Sequence, residues 1–472
     1  VFNKLLSYAP VQIFSALSVF ALIAIQTRFL TVSEYGLLAV LLVIMESTRS
    51  MFAQWINTAL LRFYPSAQSP EREQLLCLSS SLLWLFAAVA VLVVALCLWV
   101  FSLFSWSNML WVALLFVAKG TYTYYLERAR VCEQVNRYRY AALTQAVLSV
   151  VLTLGCLWLD GALHSALIAL VASNAIALLF TLRRNPQGYK GTPVLRREFL
   201  HYGLPFMFTG ALGVLATRSD RIVIAQLTSL EQAGLYAGIA NLLVGLMALV
   251  FMVVALPLYP ELTKLTDKPQ QLRQAHSRYG GYLCALAIPA LTGLCLLAQP
   301  LITVFLGERY QQLDLRVFYA IAAATFILNL RGHYLDHGLQ FRLRTQWLPL
   351  ITAVGFALQL ALAFTWVPQL GALGAALALL IAMCVAALLS LITGRYYRYH
   401  FTWPAQLYKT LLATTVMGAV LYTLLSNLVS LAPWQQLVIG VLVGITTYAL
   451  MHWLLNTFAI RSQSLNWRRR SV

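Results

Sequence analysis

Acidic residues are scarce in this chain. Fifteen Asp and Glu stand against 33 Lys and Arg in 472 residues, and charged residues of both signs make up only 10%. So little charge cannot cover the exterior of a soluble protein of this length. Cysteine is sparse too. Cys77, Cys97, Cys132, Cys156, Cys284, Cys295 and Cys384 form no CxxC. That pattern argues against a zinc knot or a redox pair and leaves them as small core residues. No GxSxG, Walker A or HExxH sequence occurs. The chain therefore carries no signature of those hydrolase, nucleotide-binding or zinc-protease chemistries, and no nucleotide site through which ATP would drive it directly. Long polar linkers are also missing. The longest connections between apolar segments are 183–200 and 261–278.

Hydrophobic residues make up 61% of the chain, with a mean hydropathy of +0.76. Apolar runs long enough to cross roughly 30 Å of hydrocarbon recur along its length. Fourteen are predicted, at about 10–27, 36–59, 77–103, 108–126, 140–159, 162–182, 202–226, 233–258, 280–299, 313–331, 346–367, 371–393, 406–429 and 434–457. They are continuous rather than alternating, which excludes a membrane barrel. The first run lacks a small-residue cleavage pattern, so no cleavable signal peptide is expected. Alternating the loops between two sides puts only Arg28 and Arg309 on one of them. The other collects the clusters Arg128, Arg130, Arg137 and Arg139, then Lys264, Lys268, Arg273 and Arg278, and the tail Arg468, Arg469 and Arg470. Positive loops stay cytoplasmic, so both termini are predicted there. The net charge of +18 then reads as topology, with anionic membrane lipid a further contact for the tail, and does not point to nucleic acid.

The chain also repeats itself. Pro10 and Pro205 open spans 1 and 7, and Tyr64-Pro65 and Tyr259-Pro260 close spans 2 and 8, both at an offset of 195. EYG at 34–36 falls near AGLY at 233–236. YLE at 125–127 is matched by YLD at 334–336, and GALHSAL at 161–167 by GALGAAL at 371–377. Repeats of six spans keep the same orientation and are related by an axis along the membrane normal. The predicted fold is an all-α membrane protein of about 14 transmembrane helices: two parallel six-helix bundles around a central cleft, plus two C-terminal helices. The bundles cover 1–182 and 201–395, a cytoplasmic loop covers 183–200, and 396–472 holds the extra pair and the basic tail.

A charge at mid-membrane costs about 2.5–3.5 kcal/mol on insertion scales, so it needs a reason. Glu46 and Arg49 lie in span 2, Lys119 in span 4, and Arg218, Asp220 and Arg221 in span 7. At about 100° per residue, Glu46 and Arg49 share a stripe that Ala53 and Asn57 extend, and Arg218 and Arg221 form a similar i,i+3 pair. Each acid can serve as an internal salt bridge, with Glu46 on Arg49 and Asp220 on Arg221, or as a coupling site for Na+ or H+. Four cations against two carboxylates nevertheless leave a positive surplus suited to an anion, and guanidinium forks fit phosphate oxygens. Arg49, Lys119, Arg218 and Arg221 are therefore the predicted phosphate-binding set. Subtracting 195 from Arg218, Asp220 and Arg221 gives Ile23, Ile25 and Gln26, so the repeat does not require charge there for scaffolding. Arg28, at the outer end of span 1, reads as an interface anchor or an exit-side contact. Arg331 is expected to snorkel. His333, Asp336 and His337 have metal-like spacing but are expected to form a solvated face, so no metal or cofactor is predicted.

The segments RFLTVSEYG at 28–36, RFYP at 62–65, Gly-Leu-Pro at 203–205, Asp220-Arg221, AGLY and LYPEL at 258–262 resemble the polysaccharide transport family. That family holds the Wzx-type lipid-linked oligosaccharide and O-antigen flippases of the multidrug/oligosaccharidyl-lipid/polysaccharide (MOP) superfamily. The resemblance covers roughly residues 1–400. It implies a multi-pass bacterial inner-membrane transporter, not an enzyme. Such a protein moves a polyprenyl-diphosphate-linked oligosaccharide to the periplasmic leaflet by alternating access, for O-antigen, capsule or exopolysaccharide synthesis. Polysaccharide polymerase and glycosyltransferases would be its neighbours. Arg28, Asp220 and Arg221 stand where the family pattern has similar residues. The two spans beyond twelve depart from the simplest family plan. The alternatives are a cation-exporting multidrug antiporter of the same superfamily, a polymerase, and a non-transporting subunit of a polysaccharide pathway.

Overall fold

The computed structural model describes residues 2–182 and 193–459. The basic residues Arg183, Arg184 and Lys190 of the predicted loop, and the tail Arg468, Arg469 and Arg470, lie outside the described residues. Among the described residues, helix occupies each of the predicted spans. Eleven helices among the described residues are long and apolar enough to cross a membrane, and two shorter apolar ones, Phe14–Phe29 and Leu163–Leu179, coincide with spans 1 and 6. The remaining predicted span, 108–126, lies in the 26-residue helix Trp106–Val131, which carries Lys119 and a charged last turn with Arg128 and Arg130.

Local sequence sets these elements. Helix Val32–Arg49 starts on a capping box, with Thr31 Oγ1 accepting from the Glu34 amide at 3.2 Å and Glu34 Oε2 accepting from the Thr31 amide at 2.9 Å. Ser105 caps Trp106–Val131 by accepting from the Asn108 amide at 3.0 Å. These bonds satisfy donors that the first helical turn leaves unpaired. Pro205, Pro257, Pro260 and Pro289 sit inside helices that continue past them, as proline does in spanning segments where neighbouring groups take up the freed carbonyl.

The chain divides into two compact units, Val1–Ala237 and Gly238–Val472. Within the first, helices Val32–Arg49 and Trp55–Phe63 are the centre: 67% of the most apolar window of this span is buried. Helix Pro193–Arg218 packs along them. Gly203 and Gly210 allow that approach, since a Cβ at Gly203 would stand 2.4 Å from the Trp55 ring and one at Gly210 2.7 Å from Ser50 Oγ. In the second unit, Met247, Phe251, Tyr279, Leu283 and Tyr334 form a buried core, while the terminal span Pro433–Leu454 has only 17% of its window buried. Large side chains such as Trp99, Trp106, Trp158 and Trp403 are exposed, as expected of faces that meet lipid rather than water.

Each unit carries the same tie between distant segments. Tyr64 Oη accepts from Cys132 Sγ at 3.2 Å in the first, and Tyr259 Oη donates to Gln340 Oε1 at 2.7 Å in the second. The tyrosines are those of the two Tyr-Pro pairs. Their partners each lie shortly after the matched YLE and YLD segments.

Candidate functional site

The six mid-span charges all belong to the first unit. Glu46 is shared by two cations: Arg49 Nε donates to its Oε2 at 2.8 Å, and Lys119 Nζ, from helix Trp106–Val131, donates to its Oε1. Arg49 also donates to Gln54 Oε1 at 3.0 Å. That last contact exists because Ser50–Gln54 is a π-helical turn. The wider turn adds a residue to the helix face, so Gln54 takes the place that ordinary periodicity gives to Ala53. Ala53 and Asn57 are instead buried in the packing, at 2% and 1% exposure. The stripe predicted through them is thus cut at Arg49.

The second cluster lies at a helix interruption. Pro193–Arg218 and Asp220–Leu227 are separated by Ser219 alone. Asp220 and Arg221 are both 2% exposed. Arg221 Nη1 donates to Asp220 Oδ1 at 3.1 Å and to the Thr217 carbonyl at 3.4 Å, and Asp220 Oδ1 accepts the Arg221 amide at 2.8 Å. The pair therefore serves backbone groups at the break as well as itself, which is the condition for irregular backbone at membrane depth. Asp220 Oδ2 accepts from the buried Tyr236 hydroxyl at 2.6 Å.

Arg218 differs from both clusters. It is exposed while Ser219, Asp220 and Arg221 beside it are buried. Its electrostatic neighbours are Arg221 and Arg49 among cations and Glu46 and Asp220 among carboxylates. Among the described residues it has no hydrogen-bond or salt-bridge partner. The structure thus brings Glu46, Arg49, Lys119, Arg218, Asp220 and Arg221 into one neighbourhood of four cations and two carboxylates. Lys119 is about one-third exposed and Arg49 and Glu46 are mostly covered. Arg28 is exposed in the last turn of Phe2–Phe29, where the helix dipole favours a cation.

A sequence model of the family described as "Polysaccharide biosynthesis protein" matches residues 25–314, more than half of the chain and including all of these charges. The chain belongs to that family. No curated protein matches it. Among solved structures, this family member is similar to the lipid II flippase MurJ in an inward closed conformation, with a TM-score of 0.75 and 16% identity over 96% of this chain and 99% of that one. It is also similar to a multidrug resistance MATE family transporter of the MOP superfamily in an inward-facing conformation. There the TM-score is 0.61, with 12% identity over 81% of this chain and 93% of that one. At such identities the likeness concerns the fold.

Two residues around the charges were not anticipated. Tyr236 belongs to the AGLY segment that marks the repeat, yet nothing in its spacing ties it to Asp220. Gln54 is a polar residue in an apolar span, a signal that the regular 3.6-residue period hides. Tyr236→Phe is expected to lower the thermal stability of the detergent-solubilised protein by about 1–3 kcal/mol, the usual cost of leaving a buried acceptor short of its donor. A smaller added loss in Asp220→Asn/Tyr236→Phe than in the two single variants summed would show the pair acting as a unit.

In the second unit two expectations are corrected. Arg331 does not snorkel: it is 9% exposed, donating from Nε to Asp336 Oδ2 at 3.4 Å and from Nη2 to Thr352 Oγ1 at 2.9 Å. Asp336 and His337 do not form a solvated face, at 6% and 3% exposure. Asp336 also accepts from Ser390 Oγ at 2.6 Å, while His337 packs on Tyr259 and His276. The π-turn Arg331–Leu335 and close helix packing draw this polar set inward. Among the described residues no three His, Cys, Asp or Glu side chains are grouped to hold a metal.

Proposed function

We propose that this family member is a flippase of the bacterial inner membrane. It carries a polyprenyl-diphosphate-linked oligosaccharide to the periplasmic leaflet by alternating access, with both termini cytoplasmic, and performs no covalent chemistry. One observation carries the reading. Arg218 is an exposed residue that has no hydrogen-bond or salt-bridge partner among the described residues, held beside three further cations that share two carboxylates. A cationic surplus at membrane depth is costly unless something anionic compensates it, and a diphosphate supplies paired oxygens for a guanidinium fork. Arg218 and Lys119 are the accessible donors, Arg49 stands behind Lys119 on the same carboxylate, and Arg221 adds positive potential from its buried pair. Glycosyltransferases would supply the ligand and a polysaccharide polymerase would consume it.

An apolar cavity in the second unit supports a lipid-borne ligand. It holds about 340 Å³ and is lined by Leu246, Pro289, Leu297, Met417, Gly440 and Tyr448 among others. Its one hydroxyl, on Tyr448, donates to the Ala285 carbonyl at 2.6 Å, which leaves a surface suited to hydrocarbon. Ala290, also in the lining, offers a test. Ala290→Phe is expected to slow flipping of a long polyprenyl-linked substrate several-fold and to leave a short-chain analogue unaffected. Equal rates for both would detach the cavity from the lipid tail.

The decisive assay uses purified protein in vesicles and follows a fluorescent prenyl-diphosphate-linked sugar between leaflets. Protein-dependent flipping is expected, with no export of organic cations. Robust export of organic cations without lipid movement would establish the antiporter reading instead.

A further inference from the structure

Glu46 is a carboxylate bonded to both Arg49 and Lys119. Its own side chain is 13% exposed. We propose that Glu46 is an exchangeable counter-ion: a phosphate group entering the site displaces its carboxylate from Lys119 and Arg49, and the released carboxylate takes up a proton. This inference rests on the phosphate-binding reading above and adds the identity of the coupled ion. Phosphate oxygens and the Glu46 oxygens compete for the same N–H donors. Once those donors turn to phosphate, Glu46 is left as an unpaired acid at membrane depth, where the neutral form is favoured. The balance is simple: one O–H bond forms on Glu46 with a proton from solvent, and no other covalent bond changes. Phosphate and proton then bind together.

The surroundings favour a proton over a metal cation. Both Glu46 oxygens already face cations, Arg49 from its own helix and Lys119 from Trp106–Val131. Arg218, on Pro193–Arg218, is the next charge. Asp220 and Arg221 on Asp220–Leu227 are bonded to each other. Among the described side chains, the other packed helices carry their Asp, Glu, Lys, Arg and His residues near their ends: Glu71, Arg72 and Glu73 in Ser69–Val100, Arg28 in Phe2–Phe29 and His164 in Leu163–Leu179. A sodium ion needs several oxygen ligands and gains nothing from a site built of ammonium and guanidinium groups.

The test is calorimetric titration of the full-length protein with farnesyl diphosphate, in buffers of differing ionisation enthalpy between about pH 6 and pH 8. The ligand's own titration is common to wild type and variants and cancels in the comparison. Wild type is expected to take up about one proton more per ligand than Glu46→Gln. Its affinity relative to that variant should rise by up to about tenfold per unit of acidification, with Glu46→Gln the tighter binder at the alkaline end. Equal proton uptake and parallel pH profiles would overturn the exchange while leaving phosphate binding intact. Failure of wild type to bind, or binding indifferent to Arg218→Ala and Lys119→Ala alike, would remove the phosphate site and the exchange with it. Should Glu46→Gln fail to accumulate, infrared difference spectra of wild type with the same ligand decide. A new protonated-carboxyl band is expected, and its absence overturns the proposal.

Discussion

Arg218→Ala is expected to lower flipping of a diphosphate-linked substrate at least about tenfold while the inserted protein accumulates and melts like wild type. A charge-assisted bond to an ionised group is worth about 1.5–3 kcal/mol, and a fork on two phosphate oxygens sits at the upper end. The native fold loses little, because Arg218 has no hydrogen-bond or salt-bridge partner among the described residues and is exposed. Arg221→Ala should behave differently. It removes one member of a 3.1 Å pair of which both members are 2% exposed, and it strips the Thr217 carbonyl of a donor at the helix interruption. Breaking such a buried pair costs about 3–5 kcal/mol, so the protein level should fall along with transport. Arg218→Lys should restore part of the activity, since it keeps the charge and loses the planar fork. The comparison is read by reconstituted flipping assays at matched protein amounts, with thermal unfolding in detergent alongside. Arg218→Ala with wild-type transport would remove the phosphate grip. An unstable Arg218→Ala would mean that this guanidinium supports the fold instead.

The contrast between these two arginines also marks what the sequence makes legible. Three residues apart in an apolar run, Arg218 and Arg221 look alike. Only the break at Ser219 turns one into a backbone brace and leaves the other open. The spans themselves follow from hydropathy because lipid rewards continuous apolar runs whatever their partners. Even Trp106–Val131, whose last turn carries Arg128 and Arg130, is betrayed by its apolar centre. The repeat is equally visible in Tyr64-Pro65 and Tyr259-Pro260. Their partners Cys132 and Gln340 are not, since a contact across dozens of residues leaves no local pattern. The π-turn at Ser50–Gln54 defeats regular periodicity, so Gln54 rather than Ala53 meets Arg49. Arg331 and Asp336 read separately as a snorkelling cation and part of a solvated face. Five residues apart on a second π-turn, they form a buried pair.

Gly36→Ala and Gly234→Ala are each expected to destabilise the first unit by about 1–3 kcal/mol, the range for forcing extra atoms into a packed contact. Here the contact is unusually unyielding. A Cβ at Gly36 would stand 1.9 Å from the Leu230 carbonyl oxygen, and one at Gly234 2.0 Å from the Val32 carbonyl oxygen. These are backbone atoms, so no rotamer change relieves the clash and the starts of Val32–Arg49 and Leu230–Thr263 must part. The two residues belong to EYG and AGLY, matched segments of the repeat, and they face each other reciprocally, with each Cβ aimed at the backbone opposite. Small residues that let helix backbones touch are a common source of stability where lipid offers no hydrophobic drive. Because one separation accommodates both methyl groups, the double variant should lose clearly less than the two single losses summed. Parting the helices also disturbs Leu230–Thr263 two residues from Tyr236, whose hydroxyl holds Asp220. Both variants should therefore weaken the Asp220–Arg221 brace and reduce transport beyond what their lower protein level explains. Thermal melts of the two single variants and the double supply the cycle. Strict additivity, or single variants as stable as wild type, would show that the helices do not rely on this contact.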